Sequence, residues 1–361
     1  MSDNQNGSQP RKRTPEQKKR IAKRKTKRKL MRALSVVLIV AAAAAIIYFF
    51  VDHSISGMFN KGQAISKDIR TPEELKGDVI NILVCGIDQE EGRSGYMTDV
   101  VMYVTLDAKA KKVSVLQIPR DTYVGEEIPT GKINAVFNHG KEKEKILNTI
   151  GLINDKFALP VDHYAYLDME AFITVVDSIE GGLEMYVPCP IIAKDKNTGV
   201  EETIIEKPGN YKISGETAEA IVRNRNYAMA DIERLNVQRH FYSALIKYFT
   251  NIGISDFLKL LPRFTPYIST DMSWQKMGAI ANVGLQIDFA NMSMMKPVVA
   301  GAANGAVTVN KEELANMLNE YFRPYQDPVP ANKLKIPQLE NTTDWVPSNI
   351  QTVADIMASE T

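Results

Sequence analysis

The chain is poor in cysteine and histidine, with two Cys and four His in 361 residues. Cys85 and Cys189 are too far apart in sequence for a CxxC metal or redox site, and the histidines show no metal-ligand spacing. A GxSxG nucleophile elbow and a GxxxxGK[ST] phosphate loop are both missing, which excludes the common serine hydrolases and P-loop nucleotide enzymes. No internal repeat is found. Cys85 sits in the apolar run "INILVCG" and reads as a small buried hydrophobe.

The net charge of +1 conceals an asymmetry. Residues 1–32 carry thirteen Lys and Arg against two acids, whereas the rest of the chain carries 31 basic and 41 acidic residues. Directly after this basic stretch comes "ALSVVLIVAAAAAIIYFFV", residues 33–51, which has no charge and one serine. As a helix it would be about 28 Å long, close to the roughly 30 Å of a bilayer's hydrocarbon core. The run is longer than a signal-peptide core and lacks a small-residue cleavage site. Positive flanks stay cytoplasmic, so the expectation is a single-pass anchor with the N-terminus inside and the body outside. The place of the basic tail beside a span favours topology and anionic lipid over nucleic acid as its partner. A linker, 52–76, leads to a body expected over 77–326, and 327–361 reads as a C-terminal tail.

The body predicts an α/β fold with a central sheet. "VINILVCG" reads as a strand covered on both faces, and "DVVMYVTLDAKAKKVSVLQIPRD" as a hairpin of two β-branched runs. Helical patterns follow in "EKEKILNTIGLIND", "TAEAIVRNR" and "DIERLNVQRHFYSALIKYF". If the hairpin turns near residues 108–110, antiparallel pairing sets Asp99 beside Pro119 and Arg120. The first strand delivers Asp88 just past its C-terminal end, to the same sheet edge. Two such carboxylates suit Mg²⁺, which commonly takes one or two of them and completes its shell with water and phosphate. A simple ion pair between Asp99 and Arg120 explains the same residues.

The stretch "RNRNYAMADIERLNVQRH" gathers Arg223, Arg225, Arg234 and Arg239. In a helix starting near Asp231, residues 231, 234 and 238 fall within about 60° of one another. They share the core-facing side with Leu235 and Tyr242, while Glu233, Asn236, His240, Ser243 and Lys247 form a solvent face. Buried charges require partners. A phosphate at the helix N-terminus is one partner, and an internal Asp–Arg network is another.

Six segments in order, "NILVCGID", "TDVVMYVTLD", "VSVLQIPRDTYV", "GKINAVFNHG", "AEAIVRNR" and "DIERLNVQRH", resemble the LytR-CpsA-Psr family of cell-wall glycopolymer ligases. The resemblance implies a three-layer α-β-α domain with a mixed sheet, preceded by a transmembrane helix. It implies transfer of a teichoic-acid or capsular type of glycopolymer from an undecaprenyl-pyrophosphate carrier to peptidoglycan. Asp88 and Asp99 would hold Mg²⁺ or Mn²⁺. Arg120, Arg223, Arg225 and Arg234 would serve both catalysis and substrate binding, with Gln238 and Lys132 as further substrate contacts, and a catalytic Asp231 would orient the arginines or approach the metal. The prenyl chain would thread an apolar cavity between sheet and helices. A prenyl-pyrophosphate phosphohydrolase and a non-catalytic envelope regulator remain alternatives.

Overall fold

A computed structural model describes residues 79–88, 96–139, 142–194, 200–224, 230–264 and 267–360. The tail 1–32, the apolar run 33–51 and the linker 52–76 lie outside the described residues, among which no helix is long and apolar enough to cross a membrane.

The strands, in chain order, are β1 (Val79–Asp88), β2 (Met97–Asp107), β3 (Lys112–Gln117), β4 (His163–Asp168), β5 (Leu183–Val187), β6 (Ile191–Lys194), β7 (Glu201–Ile205), β8 (Gly209–Ile213), β9 (Ile268–Thr270), β10 (Met292–Met295), β11 (Val299–Gly301), β12 (Val307–Val309) and β13 (Gln351–Thr352). Seven of them form one sheet in the order β13-β10-β3-β2-β1-β4-β9. It is mixed, because β1 runs parallel to β4 and β3 parallel to β10 while the other neighbours are antiparallel. The helices are α1 (Val136–His139), α2 (Ile146–Lys156), α3 (Met169–Asp177), α4 (Gly215–Arg223), α5 (Ala230–Phe264), α6 (Trp274–Gly284), α7 (Lys311–Tyr321) and α8 (Val353–Ala358).

Alternation along the strands gives the sheet a core on each face. Val101 and Tyr103 of β2 pack with Leu116, residues of α2 and residues of α7. Val100 and Leu106 pack on the other side with Val115, Val222 of α4, and Val237 and Phe241 of α5. Cys85 lies in the first core, where burial pushes its thiol up to about 12, and both cysteines are free.

Two expectations need correction. His240 and Ser243, assigned to a solvent face, are buried. The Tyr186 ring of β5 lies 5.5 Å from the His240 ring, and Glu360 is 3.2 Å from His240 Nδ1. α5 is therefore covered on two sides, which a one-sided periodic reading cannot register. The segment 327–361 is no loose appendage either. It adds edge strand β13, buries Leu334, Ile336, Val353 and Ile356, and supplies α8, which is closed by a capping box between Thr352 and Asp355. Helix α5 also runs on to Phe264, with a break at Gly253, whose φ of 73° is left-handed.

Candidate functional site

The β2–β3 register pairs Asp107 with Lys112 and Met102 with Gln117, and Ile118 donates to the Val101 carbonyl at 2.9 Å. The same spacing continued sets Asp99 opposite Arg120. Arg120 Nη1 forms an ion pair with Asp99 Oδ1, with both side chains almost fully buried. Asp88 ends β1 opposite Met97, two residues before Asp99, and is 3 % exposed. The three groups expected at one sheet edge are thus brought to it, and the ion-pair reading of Asp99 and Arg120 is realised.

After β3 the chain turns tightly. Thr122 donates through both its amide and hydroxyl to the Pro119 carbonyl, at 3.0 and 2.7 Å. The loop then folds back on itself: Ile133 donates to the Thr122 carbonyl and Asn134 to the Arg120 carbonyl. Gly131 makes this return possible. Its φ is 68°, and a Cβ there would lie 2.6 Å from the Tyr123 ring. The return delivers Lys132 Nζ to within 3.1 Å of Asp121 Oδ1, while Asp121 Oδ2 lies 3.8 Å from Arg120 Nε. Asp121 therefore links two expected phosphate contacts. Sequence reasoning passed over it, although it stands in the quoted "PRD".

On the opposite core, α4 is anchored at its start. Ser214 caps it by accepting from Thr217, and the Gly215 amide donates to Asp177 Oδ1 at 2.8 Å. A Cβ on Gly215 would lie 2.5 Å from the Ile173 carbonyl oxygen, so only glycine lets α3 and α4 approach this closely. At the far end, Gln238 Nε2 donates to the Val222 carbonyl at 3.1 Å. Gln238 thereby fixes the backbone immediately before Arg223. Arg234 is 1 % exposed and lies close enough to Tyr242 to act on its phenol, whose pKa burial raises and the Arg234 charge lowers. Arg225, and the side chains of Arg223 and Asp231, lie outside the described residues.

Asp88 and Asp99 offer hard oxygen donors, and among the described residues no cluster of three metal-ligating side chains occurs. Two carboxylates are a donor set of the kind Mg²⁺ can use, with water and phosphate oxygen completing its shell. A cleft of about 430 Å³ lies between β5, β8, α5 and α8, lined by Tyr186, Tyr211, Lys212 and Lys247 among others. Its mixed charged lining does not match an apolar channel for a prenyl chain.

A model of the LytR_cpsA_psr family matches residues 48–323. TagV of Bacillus subtilis, a polyisoprenyl-teichoic acid-peptidoglycan teichoic acid transferase, is 31 % identical over 182 residues, 48 % of this chain and 44 % of TagV. The chain thus spans about half the length of that relative. TagU of Bacillus licheniformis, a transferase of the same description, is 25 % identical over 265 residues, 72 % of this chain and 83 % of TagU. The crystal structure of B. subtilis TagV has a TM-score of 0.54 at 22 % identity, covering 73 % of this chain and 99 % of that one. A structure of TagT bound to LI-WTA gives 0.51 at 21 % identity, covering 70 % and 92 %. These likenesses establish a shared fold. With most of its length matched by the family model, the chain belongs to the LytR_cpsA_psr family.

Proposed function

We propose that this protein is a membrane-anchored, extracytoplasmic phosphotransferase that moves a glycopolymer from an undecaprenyl-pyrophosphate carrier to peptidoglycan. The observation that carries the reading is the charged cluster at the β2–β3 edge: buried Asp99 on buried Arg120, Arg120 near half-buried Asp121, and Asp121 on half-buried Lys132, with Asp88 beside them on β1. Phosphoryl transfer depends mainly on positioning and on neutralising charge over the phosphate oxygens, so no protein nucleophile is needed. The named transferases TagV and TagU support the substrate class.

In the reaction, an acceptor hydroxyl attacks the sugar-proximal phosphorus. A new P–O bond forms to the acceptor, the bond to the bridging oxygen breaks, prenyl phosphate leaves and one proton is released. Arg120 presents a guanidinium able to grip phosphate oxygens in pairs, held in direction by Asp99. Lys132 adds a point charge oriented by Asp121. Arg223, Arg225 and Arg234 complete the cationic set, with Gln238 holding the backbone before Arg223 and Asp231 orienting the arginines. Asp88 and Asp99 would hold Mg²⁺ or Mn²⁺, which when bound would neutralise further charge on the pyrophosphate.

Purified full-length protein in detergent, given Mg²⁺, a lipid-linked glycan and peptidoglycan fragments, should form a glycan–peptidoglycan conjugate. Release of free glycan or phosphate without conjugate would point to a hydrolase. Binding without either product would point to a regulator. A reporter fused after Thr361 should be active only outside the cytoplasm, and protease protection of the body in intact spheroplasts would refute that topology.

A further inference from the structure

Three polar side chains on the α5 side of the sheet are buried, and among the described residues none of them meets an acid. Gln117 ends β3, is 1 % exposed, and among the described residues neither atom of its carboxamide finds a hydrogen-bond partner. Lys296 follows β10 directly and is 3 % exposed. Continuing the β3–β10 register one step beyond Leu116 opposite Met295 sets Lys296 beside Gln117. Arg239, in α5, is 2 % exposed and close enough to Lys296 for its charge to act on the amine.

Among the described residues the two cations meet only neutral acceptors. Lys296 Nζ donates to the Pro347 carbonyl at 2.6 Å. Arg239 Nη1 donates to the Asn349 carbonyl at 2.8 Å and to Gln351 Oε1 at 3.2 Å, and Nη2 donates to Asn236 Oδ1 at 3.2 Å. Among the described residues Arg239 Nε has no hydrogen-bond partner. Two like charges buried together without an acid are costly, and such groups normally sit beside a counter-ion. Burial lowers Arg239 to about 10, and burial with the Arg239 charge lowers Lys296 to about 8.

Both cations donate to the carbonyls of one strap of chain, residues 347–351. Pro347, Asn349 and Ile350 are exposed on its outer side. The strap is fastened at its flanks by the Val299–Val346 bridge and by the two residues of β13. Between those points it rests largely on the cations through its carbonyls, with Ser348 donating to the Lys296 carbonyl at 2.8 Å.

We propose that Arg239, Lys296 and Gln117 form a phosphoryl-anion pocket, separate from the Asp99–Arg120 pair, over which residues 347–351 fold as a displaceable cap. The strap's carbonyl oxygens stand where the oxygens of a phosphate would be received. A phosphate would exchange neutral acceptors for charged ones, which form stronger hydrogen bonds, and its several oxygens suit one guanidinium, one ammonium and one amide together. The ligand is a phosphoryl oxyanion, from either the carrier's pyrophosphate or a phosphodiester of the glycopolymer.

Isothermal titration of the full-length protein in detergent tests this with inorganic pyrophosphate, glycerophosphoglycerol and acetate at matched ionic strength. Lys296→Met keeps the side chain's length and should weaken phosphoryl binding to this class of site about tenfold or more, as loss of a hydrogen bond to a charged group would. The variant should melt no lower than wild type when no anion is present. Gln351→Ala leaves both cations and loosens the cap, so it should bind as tightly as wild type or tighter. Preference for pyrophosphate would identify the carrier as the source, and preference for the diester would identify the polymer. Unchanged affinity in folded Lys296→Met and Arg239→Gln would overturn the proposal, as would equal binding of acetate. So would a strongly lowered melting temperature in Lys296→Met with affinity intact, the signature of a structural clamp. The titration needs no transfer reaction, so failure to form a conjugate would leave its outcome standing.

Discussion

Arg120 and Arg239 are both buried and differently answered. Arg120 faces the carboxylate of Asp99, whereas Arg239 faces carbonyls and carboxamides and has Lys296 for a neighbour. In the first case burial has been compensated inside the chain. In the second, two positive charges have been taken out of water with only dipoles to receive them. The comparison teaches that burial alone does not tell what a charge is for. A compensated pair resists the loss of either partner, while an uncompensated pair is relieved by it, so matched substitutions should move stability in opposite directions.

The largest effect should come from breaking the compensated pair. Asp99→Ala leaves Arg120 buried beside an empty position and should lower unfolding free energy by about 3–5 kcal/mol in urea titrations. A fully stable Asp99→Ala would show that the pair is not what holds this edge. Next come the arginines at the end of α4 and just beyond it. Arg223→Ala or Arg225→Ala should each weaken prenyl-pyrophosphate binding by about 1.5–3 kcal/mol, roughly ten- to a hundredfold, with little change in melting temperature. A folded double variant with unchanged affinity would remove both from the binding set. Gln238→Ala strips the Val222 carbonyl of its donor and should cost about 1 kcal/mol of stability. Under this account its effect on carrier binding passes through Arg223, so it should shrink when Arg223 is already alanine.

The smallest effect concerns the uncompensated pair and is read from pH. Lys296 titrates at about 8 in the fold against 10.5 when free. Between those values the unfolded chain holds the proton more firmly, so this residue makes stability rise with pH across that window. Lys296→Met should flatten the rise. An identical slope in wild type and variant would show that Lys296 is not strained by burial.

How much of this was legible in the sequence depended on whether the controlling contact was local. The Asp99–Arg120 encounter could be read because a short turn between two β-branched runs sets the register, and the register then determines every pair along the hairpin. The start of α5 could be read for a similar reason: the apolar period announces the helix, and its exceptions, Arg234 and Gln238, stand out against it. The burial of His240 and Ser243 could not be read, because it is set by distant parts of the chain, as Tyr186 of β5 and Glu360 of the last residues show against His240. The Asp121–Lys132 contact depends on a loop reversing at Gly131, whose left-handed φ no pattern of hydrophobicity reveals. Lys296 is a lone lysine in "MMKPVV", and only its place one step past the β3–β10 pairing and its bond to the 347–351 strap give it meaning.

The central claim, phosphoryl transfer at the Asp88–Asp99–Arg120 edge, is tested most directly by following one phosphorus atom. A lipid-linked glycan labelled with ³²P at the sugar-proximal phosphate is given to wild-type protein and to Arg120→Lys, with Mg²⁺ and peptidoglycan. Wild type should move the label into peptidoglycan as a phosphodiester and release unlabelled prenyl phosphate. Arg120→Lys, which keeps the charge and loses the paired grip, should do so far more slowly. Label appearing as inorganic phosphate, label remaining on the lipid, or equal transfer by the variant would contradict the claim.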